Sequence, residues 1–124
     1  MQLFGKKNKD VINYLDLTPV RLHNHNIKDD GLIDVLVPRF SDRILGRYLQ
    51  PKLKKRPFIK ANLDELGTAT WLQIDGLNKV GEIISKLDAE LGEKISPAQQ
   101  RITLFLSYLH RNGFINFKEF YKGH

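Results

Sequence analysis

Apolar residues recur at helical spacing three times between Leu63 and Ile115, and this block organises the chain. Leu63, Leu66, Thr70, Trp71 and Ile74 predict a first helix. It opens at Asn62, which forms a capping-box variant with Glu65 three residues on, and Asp75-Gly76 stops it. Val80, Ile83, Ile84, Leu87 and Leu91 predict a second helix that begins near Asn78 and ends at Gly92. Lys79, Glu82, Lys86, Asp88 and Glu90 form its solvated face. The third helix has Ser96 as its cap, Pro97 at its first position and Gln99 completing the box. Ile102, Phe105, Leu106 and Leu109 make its core stripe; Asn112-Gly113 ends it, with Phe114-Ile115 folding back over the last turn. Arg101, Leu104 and Tyr108 fall beside that stripe as a second ridge, too apolar for a free surface. The ridge either packs under other elements or lines a groove.

Ahead of the helices the period changes to two. Val20 to Ile27 reads as a strand, with Val20 and Leu22 on one face and Arg21, His23 and His25 on the other. Lys28-Asp29-Asp30-Gly31 carries the Asp-Gly hairpin signal, and its two carboxylates are solvated turn formers. Leu32 to Val37 is the second strand, with Ile33, Val35 and Val37 inward. Phe58 to Ala61 is the third, a candidate sheet edge. Val11, Ile12, Tyr14, Leu15 and Leu17 suggest one or two helical turns docking on the domain. Ile115, Phe117 and Phe120 suggest a terminal strand or packed tail. The expected fold is α+β and winged helix-turn-helix-like, a small antiparallel three-stranded sheet followed by a three-helix bundle. Its expected organisation is one domain over 1–124. An N-terminal extension covers 1–18, and the sheet covers 19–61 with a basic insertion at 39–57. The helical block covers 62–115 and the tail 116–124.

Charge singles out the insertion. The formal net charge is +6. Residues 39–57 alone carry Arg39, Arg43, Arg47, Lys52, Lys54, Lys55 and Arg56 against Asp42, which equals the whole excess. Phe40, Ile44, Leu45, Tyr48 and Leu49 share that segment at helical spacing, predicting a short basic amphipathic helix that stops before Pro51. Its apolar side can pack on the domain, with weak contact to an anionic membrane surface as the functional variant. The chain has no cysteine, which excludes thiol catalysis, thiolate metal sites and a disulfide scaffold. The expected location is cytoplasmic, since Met1 to Lys9 lacks the apolar run of a signal peptide and no stretch approaches the ~20 apolar residues of a membrane span.

No phosphate loop, nucleophile elbow or zinc-protease motif occurs, so no catalytic residue, metal or cofactor is assigned and the expected function is not enzymatic. His23-x-His25 places two imidazoles on one strand face, but two ligands do not make a metal site, and solvent-facing strand histidines are the simpler account. Two binding modes follow from the pattern. A winged-helix nucleic-acid binder would work through the basic segment, yet the third helix offers only Arg101, Arg111 and His110, fewer donors than a groove reader needs. Strand addition instead pairs an extended peptide with Phe58 to Ala61 and lays its apolar side chains on the ridge of the third helix. That mode accounts for the open strand and the extra ridge together.

The stretch "FIKANLDELGTATWLQIDGLNKVGEIISKL", followed by "FLSYLHRNGFI", resembles the PqqD family, small peptide chaperones of pyrroloquinoline quinone biosynthesis. The family belongs to the wider class of precursor-peptide recognition domains. The matching positions are Leu63-Asp64-Glu65, Trp71, Asp75-Gly76, Val80-Gly81-Glu82-Ile83 and Asn112-Gly113-Phe114-Ile115. The resemblance implies a non-catalytic adaptor that holds a precursor (leader) peptide for a radical SAM-type or other modifying enzyme. It implies peptide contacts at Phe58, Ile59, Lys60 and Ala61, with Arg101, Leu104, Phe105 and Tyr108. Two features depart from the family pattern. The segment from Arg39 to Pro57 is longer and more basic than the usual turn, and Lys79 stands where Thr or Ser commonly caps the second helix.

Overall fold

The computed structural model describes residues 13–38 and 58–122. The expected basic helix within 39–57, the run Lys52 to Arg56 and the N-terminal tip lie outside the described residues. The elements are β1 (Pro19–Arg21), β2 (Asn24–Ile27), β3 (Ile33–Pro38), β4 (Phe58–Asn62), α1 (Glu65–Leu72), α2 (Val80–Leu91), α3 (Ala98–Arg111), β5 (Ile115–Phe117) and α4 (Lys118–Lys122). Single 3-10 turns occupy Tyr14–Asp16 and Gly92–Ile95. The fold is α+β, with an antiparallel three-stranded sheet in the order β2-β3-β4.

The strand expected from Val20 to Ile27 divides in two. β1 leaves the three-stranded sheet and pairs antiparallel with β5, Arg21 opposite Ile115 and Pro19 opposite Phe117. The Leu22 amide donates to the Phe114 carbonyl (2.9 Å), tying this strand to the chain just past α3. The C-terminal tail is therefore a strand on β1 followed by the short α4. Two hydrogen bonds from Thr18 to Glu119, from its amide (2.8 Å) and its hydroxyl (2.9 Å), hold α4 to the N-terminal segment.

One apolar cluster lies between sheet and helices. Ile33 and Val35 enter it from β3, Trp71 from α1, Ile83 and Leu87 from α2, and Ile102, Leu106 and Leu109 from α3. Ile74 is buried in the same cluster, although α1 ends at Leu72. Phe117 is fully buried and packs edge-on against Tyr14, which seats the first 3-10 turn.

Helix starts differ from the expected caps for identifiable reasons. Asp64, not Asn62, caps α1: its Oδ1 accepts from the Gly67 amide at 2.7 Å. Asn62 is the last residue of β4, and its side-chain amide donates instead to the buried Asp34 directly across the ladder. Lys28 also approaches Asp34 (3.6 Å), so this buried carboxylate has two partners. Ser96 does not cap α3. It closes the preceding 3-10 turn through its amide on the Glu93 carbonyl, and α3 begins at Ala98 without a side-chain cap. At α2 the cap position is Lys79 and the helix begins at Val80. Lysine has no acceptor to offer the first-turn amides. Only the reciprocal half of a capping box forms, the Lys79 amide donating to Glu82 Oε1 at 2.7 Å. Lys79→Thr should therefore add the missing acceptor and raise unfolding free energy by ~1 kcal/mol in urea denaturation.

Candidate functional site

β4 pairs with β3 on one side only, and among the described residues no strand lies on its other side. The tail that could have covered it is paired with β1 instead. The direction in which each β4 backbone group points follows from the register. The Leu63 amide donates to the Ile33 carbonyl (2.9 Å) in line with the pairs Ala61–Val35 and Ile59–Val37. Bonded and non-bonded pairs alternate along an antiparallel ladder. Ile59, Ala61 and Leu63 thus spend their N–H and C=O groups on β3, while those of Phe58, Lys60 and Asn62 point to the free edge. The other side of β3 agrees with this parity. The Lys28 amide donates to the Leu32 carbonyl (2.8 Å), so even-numbered residues of β3 serve β2 and odd-numbered ones serve β4.

The last rung of this ladder is completed by a helix. The buried Thr68 hydroxyl of α1 accepts from the Ile33 amide (3.0 Å) and reaches toward the Leu63 carbonyl (3.5 Å). The side chain thereby stands where a direct Ile33-to-Leu63 bond would close the pair. It fixes α1 to the end of the β3–β4 ribbon and sets how β4 meets the helices.

Side-chain parity divides the edge. Ile59 and Ala61 lie on the face shared with Val35 and the core, whereas Phe58, Lys60 and Asn62 lie on the outer face. Ile59 is 51% exposed even though it points to the helix side, and Phe58 is 47% exposed. Lys60 is exposed and Ala61 is half-buried.

The second ridge of α3 is open. Leu104 is 69% exposed and Tyr108 51%, Arg101 is exposed, and Phe105 between them is half-buried. Phe105 approaches the start of α1, where Gly67 makes room for it. A Cβ at Gly67 would meet the Phe105 ring at 3.2 Å and Asp64 Oδ1 at 3.1 Å. Arg101 lines a small pocket with Asp64, Glu65 and Lys94 and donates to the Lys94 carbonyl at 3.1 Å. α3 therefore reaches the residues that immediately follow β4. The eight residues expected from the sequence fall on two exposed features, edge strand and helix ridge, joined at Leu63–Gly67. The basic residues Arg39, Arg43, Arg47, Lys52, Lys54, Lys55 and Arg56 lie outside the described residues.

The histidine pair serves structure rather than the solvent-facing role expected of it. His25 Nδ1 accepts from the indole N–H of the fully buried Trp71 at 3.1 Å, and the Arg21 guanidinium lies 3.4 Å from the same nitrogen. Arg21 also donates through Nε to the Ile74 carbonyl at 2.6 Å and sits over the indole at 5.8 Å. His23 packs edge-on against Phe114. Burial, and next the Arg21 charge, hold the His25 pKa below its ordinary 6.5. The unfolded chain thus takes up this proton more readily than the folded one, so the stability His25 contributes is complete above pH 6.5 and is lost as pH falls below it. Thermal melts should drop in midpoint between pH 7.5 and 5, and less so in His25→Gln.

An α+β domain is thereby defined in which, among the described residues, β4 is paired on one side only and α3 carries an exposed ridge. The family model described as Coenzyme PQQ synthesis protein D (PqqD) matches residues 60–115, from within β4 to the start of β5. The match takes in the last three residues of β4 and the whole of α3 with its ridge, a little under half of the chain. No curated protein and no solved structure matches the chain.

Proposed function

We propose that this domain is a non-catalytic adaptor that captures a precursor peptide by strand addition at β4 and presents it to a modifying enzyme. The reading rests above all on two features together, the one-sided pairing of β4 among the described residues and the exposed Leu104 and Tyr108 of α3. Main-chain hydrogen bonds to the open edge supply affinity, and side chains directed to the helix side supply selectivity. Ile59, Phe105, Leu104 and Tyr108 offer the apolar surface for those side chains. The family match adds support, since PqqD proteins are peptide-binding accessories of cofactor biosynthesis. A radical SAM-type maturase is the partner such a role implies. A nucleic-acid reading is disfavoured, because the exposed ridge of α3 presents Leu104 and Tyr108 where a groove reader needs donors.

Leu104→Asp and Tyr108→Asp should each weaken peptide binding by about tenfold or more, because each places a charge in the apolar contact. Both side chains are exposed, so melting temperatures should change little. Calorimetric titration with precursor peptides encoded beside this gene checks this. Unchanged affinity in both variants removes α3 from the site.

A further inference from the structure

The parity of β4 makes Lys60 both the backbone centre and the charge centre of the open edge. Resting on the strand-addition reading, we infer that Lys60 selects an extended peptide with an acidic residue between two apolar ones. Three observations carry this inference. First, Lys60 is the middle one of the three edge residues whose N–H and C=O face away from β3. A strand docked there, parallel or antiparallel, places one residue level with Lys60. Second, that residue shares the outer face with the Lys60 side chain, while its two neighbours face the helix side, level with Ile59 and Ala61. Ile59 is half exposed there, an apolar side chain with room for a neighbour. Third, Lys60 has no carboxylate partner among the described residues. The nearest carboxylate on its face, Asp34 on the adjacent strand, is already engaged by Asn62 and Lys28. A carboxylate arriving opposite Lys60 therefore meets an unpaired ammonium, and a cation meets repulsion. The outer-face position is set by register rather than by side-chain adaptation, so a peptide shifted by one residue would turn its apolar side chains to water.

The test uses the full chain and two synthetic nonapeptides that differ at one position, a central Val-Glu-Val or Val-Lys-Val flanked by serine and threonine. On the parent protein the glutamate peptide should bind about fivefold or more tightly at low salt, with the difference shrinking as salt is raised. On Lys60→Glu the order should reverse. In 15N spectra the Lys60 amide should shift most, with Ile59 and Ala61 moving less because their amides are already bonded to β3. Equal affinities for the two peptides, with Lys60 still the most shifted amide, would overturn the charge assignment and leave strand addition standing. Failure of both peptides to perturb β4 at millimolar concentration would overturn both.

Discussion

Lys60→Pro should fold like the parent chain and lose peptide capture. Proline removes one N–H and fixes φ near −65°. At Lys60 that N–H points to the open edge, so the β3–β4 ladder loses no bond. Edge strands tolerate proline at outward-facing positions of this kind. The preceding residue, Ile59, is already extended, as a residue before proline prefers to be. An incoming strand, however, loses the central donor and meets the pyrrolidine ring. Ala61→Pro is the contrasting variant. Its N–H belongs to the bonded pair with Val35, and its side chain lies on the core face. That substitution should cost ~3 kcal/mol or more in unfolding free energy. Two prolines one residue apart thus separate function from folding. Thermal melts and calorimetric titration of both variants read the difference, and a loss of stability in Lys60→Pro equal to that in Ala61→Pro would refute the assigned parity.

Trp71→Ala should cost ~3–5 kcal/mol, a large share of the stability of a domain this size. The side chain is fully buried where α1 faces the sheet, so truncation leaves a cavity lined by the sheet and helices. It also removes the donor to His25 Nδ1 and the aromatic face beneath Arg21. Trp71→Phe separates the two contributions. It keeps most of the apolar volume but deletes the N–H together with part of the indole ring, so its cost should be smaller, ~1–3 kcal/mol. Urea unfolding of the three proteins checks this, and equal losses in the two variants would show that the hydrogen bond, not the volume, holds α1 against the sheet.

The helical half was legible because its signals are local. Apolar spacing placed the three helices and most of their buried residues, and Gly113 (φ +80°) marks the end of α3 where the Asn-Gly pair predicted it. The second ridge of α3 was legible too, since Leu104 and Tyr108 fall outside the core stripe on any helical projection. Caps were misplaced where a tertiary partner outbid the local one. Asn62 has the chemistry of a cap, but a buried Asp34 on another strand claims its amide. The break between β1 and β2 was hidden because alternation runs on through Leu22 and His23. Only the pairing of β1 with β5, nearly a hundred residues later, separates them. His25 looked solvent-facing because its partner, Trp71, lies 46 residues away. Edge parity was likewise invisible. It depends on which residues of β3 and β4 bond, and that follows from the register of two strands separated in the sequence by residues 39–57.

The most direct measurement is amide hydrogen exchange on the 15N-labelled chain, with and without a saturating precursor peptide. The Lys60 amide should exchange quickly in the free protein and slow by about tenfold or more on binding, while Ile59 and Ala61, already bonded to β3, change little. A bound peptide that leaves Lys60 exchanging at its free rate would contradict capture along this edge.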